Sequence, residues 1–305
     1  MKAIVYERYG GPEVLRLIEL PEPKVAQNGI LIRVKTAGLN PADAALQAGH
    51  GDVFMDAWFP VIPGWDVAGI VERVGAGVTE FRTGDEVIGY VNESILRHGT
   101  FAEQVASSVE YFARKPKNAS WEQAGALPLS GLTAYQAVVR HMKLRKAETL
   151  LIHGAAGGVG SLAAQIGLSL GARVIGSASP RNHSYLISIG VEPVPYDDRL
   201  LERVDQLVPN GVDAVLDCIG NGTLERTSAV HGAGTRVLSI ADSGPGVTTV
   251  YARHAPVDLA KLVELVETSQ LVVRIGGVYP LEAAAEAQTA LRDRRVPGKV
   301  VLIIS

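Results

Sequence analysis

The stretch Leu150-Leu151-Ile152-His153-Gly154-Ala155-Ala156-Gly157-Gly158-Val159-Gly160-Ser161 constrains the fold more than any other part of this chain. It joins a short apolar run to a helix-forming run through closely spaced glycines. A strand that turns this way into a helix leaves the first helical N–H groups bare, with the positive end of the helix dipole behind them. Such a turn suits an anion, above all a diphosphate. Gly154 permits the tight turn, and Gly160 lets strand and helix close on each other. A glycine-rich turn can also pack for steric reasons alone, so the pattern of the downstream residues decides the reading.

Those residues alternate between strand and helix. After the apolar strand at 149–153 comes a helix at 161–170, then strand 173–177, helix 183–189, strand 193–196, helix 199–207, strand 214–218, helix 223–230 and strand 236–240. Strands and helices in turn specify a doubly wound parallel sheet, the Rossmann arrangement of α/β proteins. The N-terminal third differs. Short β-rich runs at 30–37, 67–74 and 86–90 are separated by Gly, Pro and Asp clusters, as in a small β-barrel. Ser120 with Gln123 reads as a capping box where the texture changes. The last segment carries a helix at 256–269, a strand at 272–279, a helix at 281–291 and a closing strand at 299–304. With 305 residues, two domains are expected: 1–119 with 257–305 as one, and 120–256 as the dinucleotide-binding other.

The end of the second Rossmann strand selects the cofactor. NAD enzymes place an Asp or Glu there for the ribose hydroxyls. Here Gly176-Ser177-Ala178-Ser179-Pro180-Arg181-Asn182-His183 has no acid, and its hydroxyls with Arg181 suit a 2′-phosphate. NADP(H) is therefore expected.

Composition removes other classes. A net charge of −3 gives no basic footprint for nucleic acid. No apolar run reaches the roughly 18 residues of a membrane span. The single cysteine, Cys218, makes neither an internal disulfide nor a cysteine zinc site, which points to a reducing, cytoplasmic setting.

Further motifs extend the pattern: Ala37-Gly38-Leu39-Asn40-Pro41-Ala42-Asp43, Pro63-Gly64-Trp65-Asp66-Val67-Ala68-Gly69, Gly84-Asp85-Glu86-Val87, Leu127-Pro128-Leu129-Ser130-Gly131-Leu132-Thr133-Ala134-Tyr135 and Gly298-Lys299-Val300-Val301. In this order they resemble the medium-chain dehydrogenase/reductase superfamily, and within it the zinc-free quinone oxidoreductase (zeta-crystallin-like) branch. The resemblance implies a GroES-like β-barrel domain beside the Rossmann domain. It also implies NADPH-dependent reduction of a small quinone or α,β-unsaturated carbonyl by hydride transfer. Zinc-dependent relatives carry Cys where this chain has Asn40 and Gly-His-Glu where it has Gly64-Trp65-Asp66, so no metal is expected.

The residues implied for catalysis are Asn40 and Asp43. For the cofactor they are Thr133, Ala156, Gly157, Gly158, Val159, Ser177, Ser179, Arg181, Tyr196, Cys218, Ile219, Ser239, Ile240, Ala241, Val278, Tyr279 and Lys299. Two departures from the branch stand out. Ala45 occupies the place of a tyrosine proton donor, which leaves the protonating group unplaced, and the stretch 242–256 is short. Two alternatives stay open: an enoyl reductase acting in trans with a synthase, and a non-catalytic NADPH-binding sensor. Relatives pair a late sheet edge, here 247–251, into homodimers, and the same is expected of this chain.

Overall fold

The computed structural model describes residues 1–293 and 296–304. The chain forms two compact units. One comprises Met1–Leu129, His254–Glu267 and Val273–Ser305; the other comprises Ser130–Arg253 and Thr268–Val272.

The second unit is built on a six-stranded, all-parallel sheet. Its strands run in the order Glu192–Pro195, Arg173–Ala178, Thr149–His153, Val212–Asp217, His231–Ser239, Thr248–Thr249. The chain winds outward from Thr149–His153 to one edge, then returns to the other side of it, which makes the C-terminal ends of Thr149–His153 and Val212–Asp217 a topological switch point. Leu151, Ile175, Val194 and Val215 are buried along the sheet, each contributing about 1.5–3 kcal/mol of transfer free energy. Two details differ from the periodicity. The helix expected at 223–230 is one short turn, Thr223–Arg226, followed by the 3₁₀ turn Ser228–Val230. Of the edge run 247–251, only Thr248–Thr249 pairs as strand.

The barrel unit centres on Gly29–Leu39, which pairs antiparallel with Lys299–Ile303, Asp66–Val74 and Gln104–Ser108. The sheet continues through Glu86–Tyr90 and Phe112–Arg114 on one side and ends in Ile275–Pro280 on the other. Its core gathers Ile32, Val34, Val67, Val87, Phe101 and Val300.

The boundaries between the units shift from those expected, for local reasons. Residues 120–129 pack with the barrel: the Leu129 N–H donates to Asp66 Oδ1 at 2.7 Å, and Gln123 Nε2 donates to the Val273 carbonyl at 3.4 Å. The Ser120–Gln123 capping box is formed as expected. Residues 268–272 belong with the sheet unit, because Gln165 clamps the backbone of Val272 through its N–H (2.8 Å) and carbonyl (3.1 Å). No described helix is long and apolar enough to cross a membrane.

Candidate active site

In the sheet unit the glycine turn leaves strand Thr149–His153 and enters helix Gly158–Ser169. Its N-cap is Gly157, which has no side chain to satisfy the first N–H groups, so these face outward uncapped. Gly154 takes φ +76°, and its N–H and that of Ala155 both donate to the Ser177 carbonyl at 3.1 Å. A Cβ on Gly160 would overlap the Gly154 carbonyl oxygen, which fixes glycine there. A Cβ on Gly157 would meet only that oxygen, at 3.3 Å, and otherwise project over the cradle. Ala156 is buried behind the turn, whereas Gly157 is exposed and Gly158 and Val159 are half-buried. The turn therefore has the shape and polarity of an anion cradle.

The neighbouring strand ends add their own groups. Ser179 and Arg181 are exposed on the turn after Arg173–Ala178, where Asn182 Nδ2 donates to Ser179 Oγ at 3.2 Å. Tyr196 joins this edge: its N–H donates to the Ala178 carbonyl at 3.1 Å, and its hydroxyl meets Thr223 Oγ1 at 3.1 Å. Ser177 lies apart from them. It is fully buried with its hydroxyl 3.2 Å from His153 Nδ1, so it supports the turn from beneath.

Asp217, not among the expected site residues, organises the opposite lip. Fully buried at the end of its strand, it accepts the N–H groups of Ile219 (3.0 Å) and Gly220 (3.1 Å) and the Ser239 hydroxyl (2.8 Å). Ser239 Oγ in turn accepts the N–H groups of Ala241 (3.1 Å) and Asp242 (2.8 Å). One carboxylate thus shapes both turns, 218–220 and 239–242, that carry Cys218, Ile219, Ile240 and Ala241. Burial, with the Asp217 charge adding to it, pushes the Cys218 thiol pKa up, which disfavours its thiolate form. Thr133 is buried in helix Pro128–Tyr135.

In the barrel unit Asn40, Asp43 and Lys299 come together around a residue that the sequence offers only as part of a motif, Asp66. Asn40 ends strand Gly29–Leu39 and caps helix Pro41–Gln47, and its N–H donates to Asp43 Oδ2 at 2.8 Å. Its side-chain amide is held at both ends: Nδ2 donates to Asp66 Oδ2 at 2.9 Å, and Oδ1 accepts from Lys299 Nζ at 2.5 Å. Lys299 also donates to the Leu39 carbonyl (3.1 Å) and lies 3.5 Å from Asp66 Oδ2.

All four side chains are at least 95% buried. One ammonium faces two carboxylates, all of them shielded from bulk solvent. Burial, reinforced by the Asp66 charge, raises the Asp43 pKa to about 7, while burial also pushes Asp66 up and Lys299 down. Val278 and Tyr279 lie on strand Ile275–Pro280 at the edge of the same sheet and do not join this cluster.

The donor set there is an amide, two carboxylates and an ammonium, which does not suit a divalent cation. Among the described residues no three His, Cys, Asp or Glu side chains converge on one point.

Residues 26–117 match the alcohol dehydrogenase GroES-like domain, and residues 189–302 match the zinc-binding dehydrogenase family. The chain is 34% identical to the NADPH-dependent alkenal/one oxidoreductase of Arabidopsis thaliana over 99% of its own length and 79% of that protein's. It belongs to the medium-chain dehydrogenase/reductase superfamily, in the quinone oxidoreductase branch. The quinone oxidoreductase of Sus scrofa is 30% identical over 100% of this chain and 98% of its own length. A solved NAD-dependent alcohol dehydrogenase superposes with a TM-score of 0.92 at 31% identity, covering 100% of both chains. The superfamily's two modules, a GroES-like barrel and a Rossmann-type parallel sheet, are the two units described above.

Asp66 and Asp217 had signals in the sequence. Asp66 opens a largely apolar strand and Asp217 closes another, positions where burial forces an acid to find donors. What those donors are depends on contacts distant in sequence.

Proposed function

We propose that this chain is an NADPH-dependent oxidoreductase that reduces a small quinone or α,β-unsaturated carbonyl by hydride transfer, without zinc. The Asn40–Asp66–Lys299 cluster carries the reading, because it fills the buried motif position with an ammonium and leaves no donor set for a Lewis-acid metal. Oxidising an alcohol without such a metal is difficult, whereas a quinone or enone already polarises its own acceptor carbon. When bound, the reduced nicotinamide supplies the hydride.

The chain's residues bind and orient. Ala156, Gly157, Gly158 and Val159 suit the diphosphate, and Ser179, Arg181 and Tyr196 suit the 2′-phosphate, with Ser177 as their buried support. Thr133, Cys218, Ile219, Ser239, Ile240, Ala241, Val278 and Tyr279 are assigned to the nicotinamide end by the family resemblance. Asn40 and Lys299 would act at the reacting end, with Asp43 orienting their loop. The structural neighbour named for NAD favours the other cofactor; the acid-free loop with exposed Arg181 outweighs it, since a 2′-phosphate there meets a cation and no repulsion.

Pairing of the short edge strand Thr248–Thr249 with a second copy would give a homodimer. A sedimentation mass of one chain would remove that element.

The test is cofactor oxidation with NADPH and NADH against quinones, enals and enones. Turnover with NADPH at a clear advantage is expected, and the advantage should fall at least about tenfold in Arg181→Ala, the scale of one lost charge-assisted contact. Tight NADPH binding without turnover of any acceptor would overturn the enzyme reading. Equal use of NADH and NADPH would overturn the role of Arg181.

A further inference from the structure

Three asparagines of this chain precede a glycine, in the pairs Asn28-Gly29, Asn210-Gly211 and Asn221-Gly222, and all three are exposed. In such a pair the glycine nitrogen can reach the asparagine side-chain amide, because no Cβ on the glycine stands in the way. A hydrogen bond from that nitrogen holds it back. The Gly29 N–H donates to the Ala26 carbonyl at 3.0 Å, and the Gly211 N–H donates to the Val208 carbonyl at 2.8 Å. The Gly222 N–H donates to none of the described residues, and the Asn221 side chain is bonded to none of them either.

The turn that carries this third pair belongs to the sheet unit and follows strand Val212–Asp217. Gly220, Asn221 and Gly222 take φ of +72°, +57° and +73°, a left-handed run that glycine and asparagine accept. The run is tied at its ends. The Gly220 N–H donates to Asp217, and Thr223 donates to the Gly220 carbonyl through its N–H (3.3 Å) and its hydroxyl (2.7 Å). Between these ties, a Cβ built on Gly222 would meet only Glu225 Oε2, at 3.6 Å, so the amide has room to swing over the Gly222 nitrogen. The same turn borders the anion cradle. A Cβ on Gly154 would come within 2.9 Å of Ile219 Cγ1, and Thr223 Oγ1 meets the Tyr196 hydroxyl at 3.1 Å. Asn221 therefore lies in the chain between a residue set against the glycine turn and one bonded to the 2′-phosphate edge.

We propose that Asn221 is a site of spontaneous modification, where attack by the Gly222 nitrogen turns the amide into a carboxylate and weakens NADPH binding at the cradle. The effect on binding rests on the cofactor reading above; the reaction itself does not. The Gly222 nitrogen gives up its proton and forms a bond to Asn221 Cγ, and the bond from Cγ to the side-chain nitrogen breaks. That nitrogen leaves as ammonia, and a cyclic imide remains. Water then opens the imide at Cγ to give aspartate, or at the main-chain carbonyl to give isoaspartate. No electrons are exchanged: one amide and one water become one carboxylate and one ammonium. Either product sets a negative charge on the lip that a diphosphate and a 2′-phosphate approach, where like charges repel.

The experiment ages the folded protein at mildly alkaline pH and follows all three pairs by peptide mass spectrometry. Asn221 is expected to convert first, with Asn28 and Asn210 slower by roughly fivefold, the rate equivalent of opening one backbone hydrogen bond. In denaturant the three rates should converge. Equal rates in the folded protein, or a lead for Asn28 or Asn210, overturn the proposal, as does a lead for Asn221 that persists in denaturant. NADPH titrations test the consequence. Asn221→Asp should bind NADPH about tenfold more weakly at low salt, and the gap should narrow as salt screens the charge. Asn221→Gly, which keeps the left-handed turn and has no amide to lose, should bind like fresh wild type and keep its affinity on ageing. Wild-type affinity in Asn221→Asp, or a loss on ageing in Asn221→Gly, overturns the effect on binding. Fresh wild-type protein that binds no NADPH removes the cofactor reading and that effect together, while the mass spectra still decide the reaction at Asn221.

Discussion

At the scale of single residues, the barrel site is governed by charge that is buried away from bulk solvent. Lys299 and Asp66 are 4% and 0% exposed, and each is tolerable there only because of the other and of Asn40. Replacing a buried pair with apolar groups can be neutral, but removing one partner leaves an uncompensated charge, at about 3–5 kcal/mol. Lys299→Met should therefore lower the unfolding free energy, read from denaturant titration, by that order, and adding Asp66→Asn should recover most of the loss. A single variant as stable as the double would show that the pair is not coupled. Lys299→Arg should not restore the wild-type behaviour, because a planar guanidinium does not reproduce three ammonium bonds converging from one atom. Asp66 was visible in the sequence only as a motif letter. Its partners Leu129 and Lys299 lie far along the chain, and no local pattern names them.

At the scale of elements, the glycine turn separates two demands that the sequence writes with one residue type. Gly160 is required by packing, since any side chain there overlaps the Gly154 carbonyl. Gly157 faces the cradle and is needed mainly by what approaches from outside. Gly160→Ala is expected to destabilise the sheet unit by about 1–3 kcal/mol through overpacking. Gly157→Ala should leave the melting temperature nearly unchanged and weaken NADPH binding by at least about tenfold. Thermal melts and fluorescence titrations on both variants check this, and a reversed order of effects would refute the assignment. The strands and helices of this unit were legible because a fully parallel sheet buries its strands as continuous apolar runs. The helix expected at 223–230 stops after one turn, where the Thr227 hydroxyl meets His153 Nε2 at 3.0 Å, a partner 74 residues away.

At the scale of the whole molecule, protonation of the barrel cluster enters the folding equilibrium. The folded pKa of Asp43 is about 7, and an unfolded aspartate titrates near 3.9. Between these values the folded protein keeps a proton that the unfolded chain has lost, so stability falls as pH rises through that window. The slope is at most about 1.4 kcal/mol per pH unit, and the fall levels off above about pH 7. Asp66, also raised, acts in the same direction. Asp43→Asn should therefore show a smaller fall than wild type in melts from about pH 5 to about pH 8. Parallel curves would mean that Asp43 stays ionised throughout.

The sequence alone determined the order of the modules, the parallel sheet and the glycine turn, because hydrophobic period, turn residues and helix starts act over a few residues and need no distant partner. It also named Asn40 and Lys299 by motif and Arg181 by its acid-free loop. Only the tertiary structure decided what surrounds the buried ones. It brought Lys299 onto an amide 259 residues away, turned Ser177 inward and set Asp217 beneath two loops. Burial and charge pairing are set by contacts between strands, and the chain encodes these only through the fold as a whole.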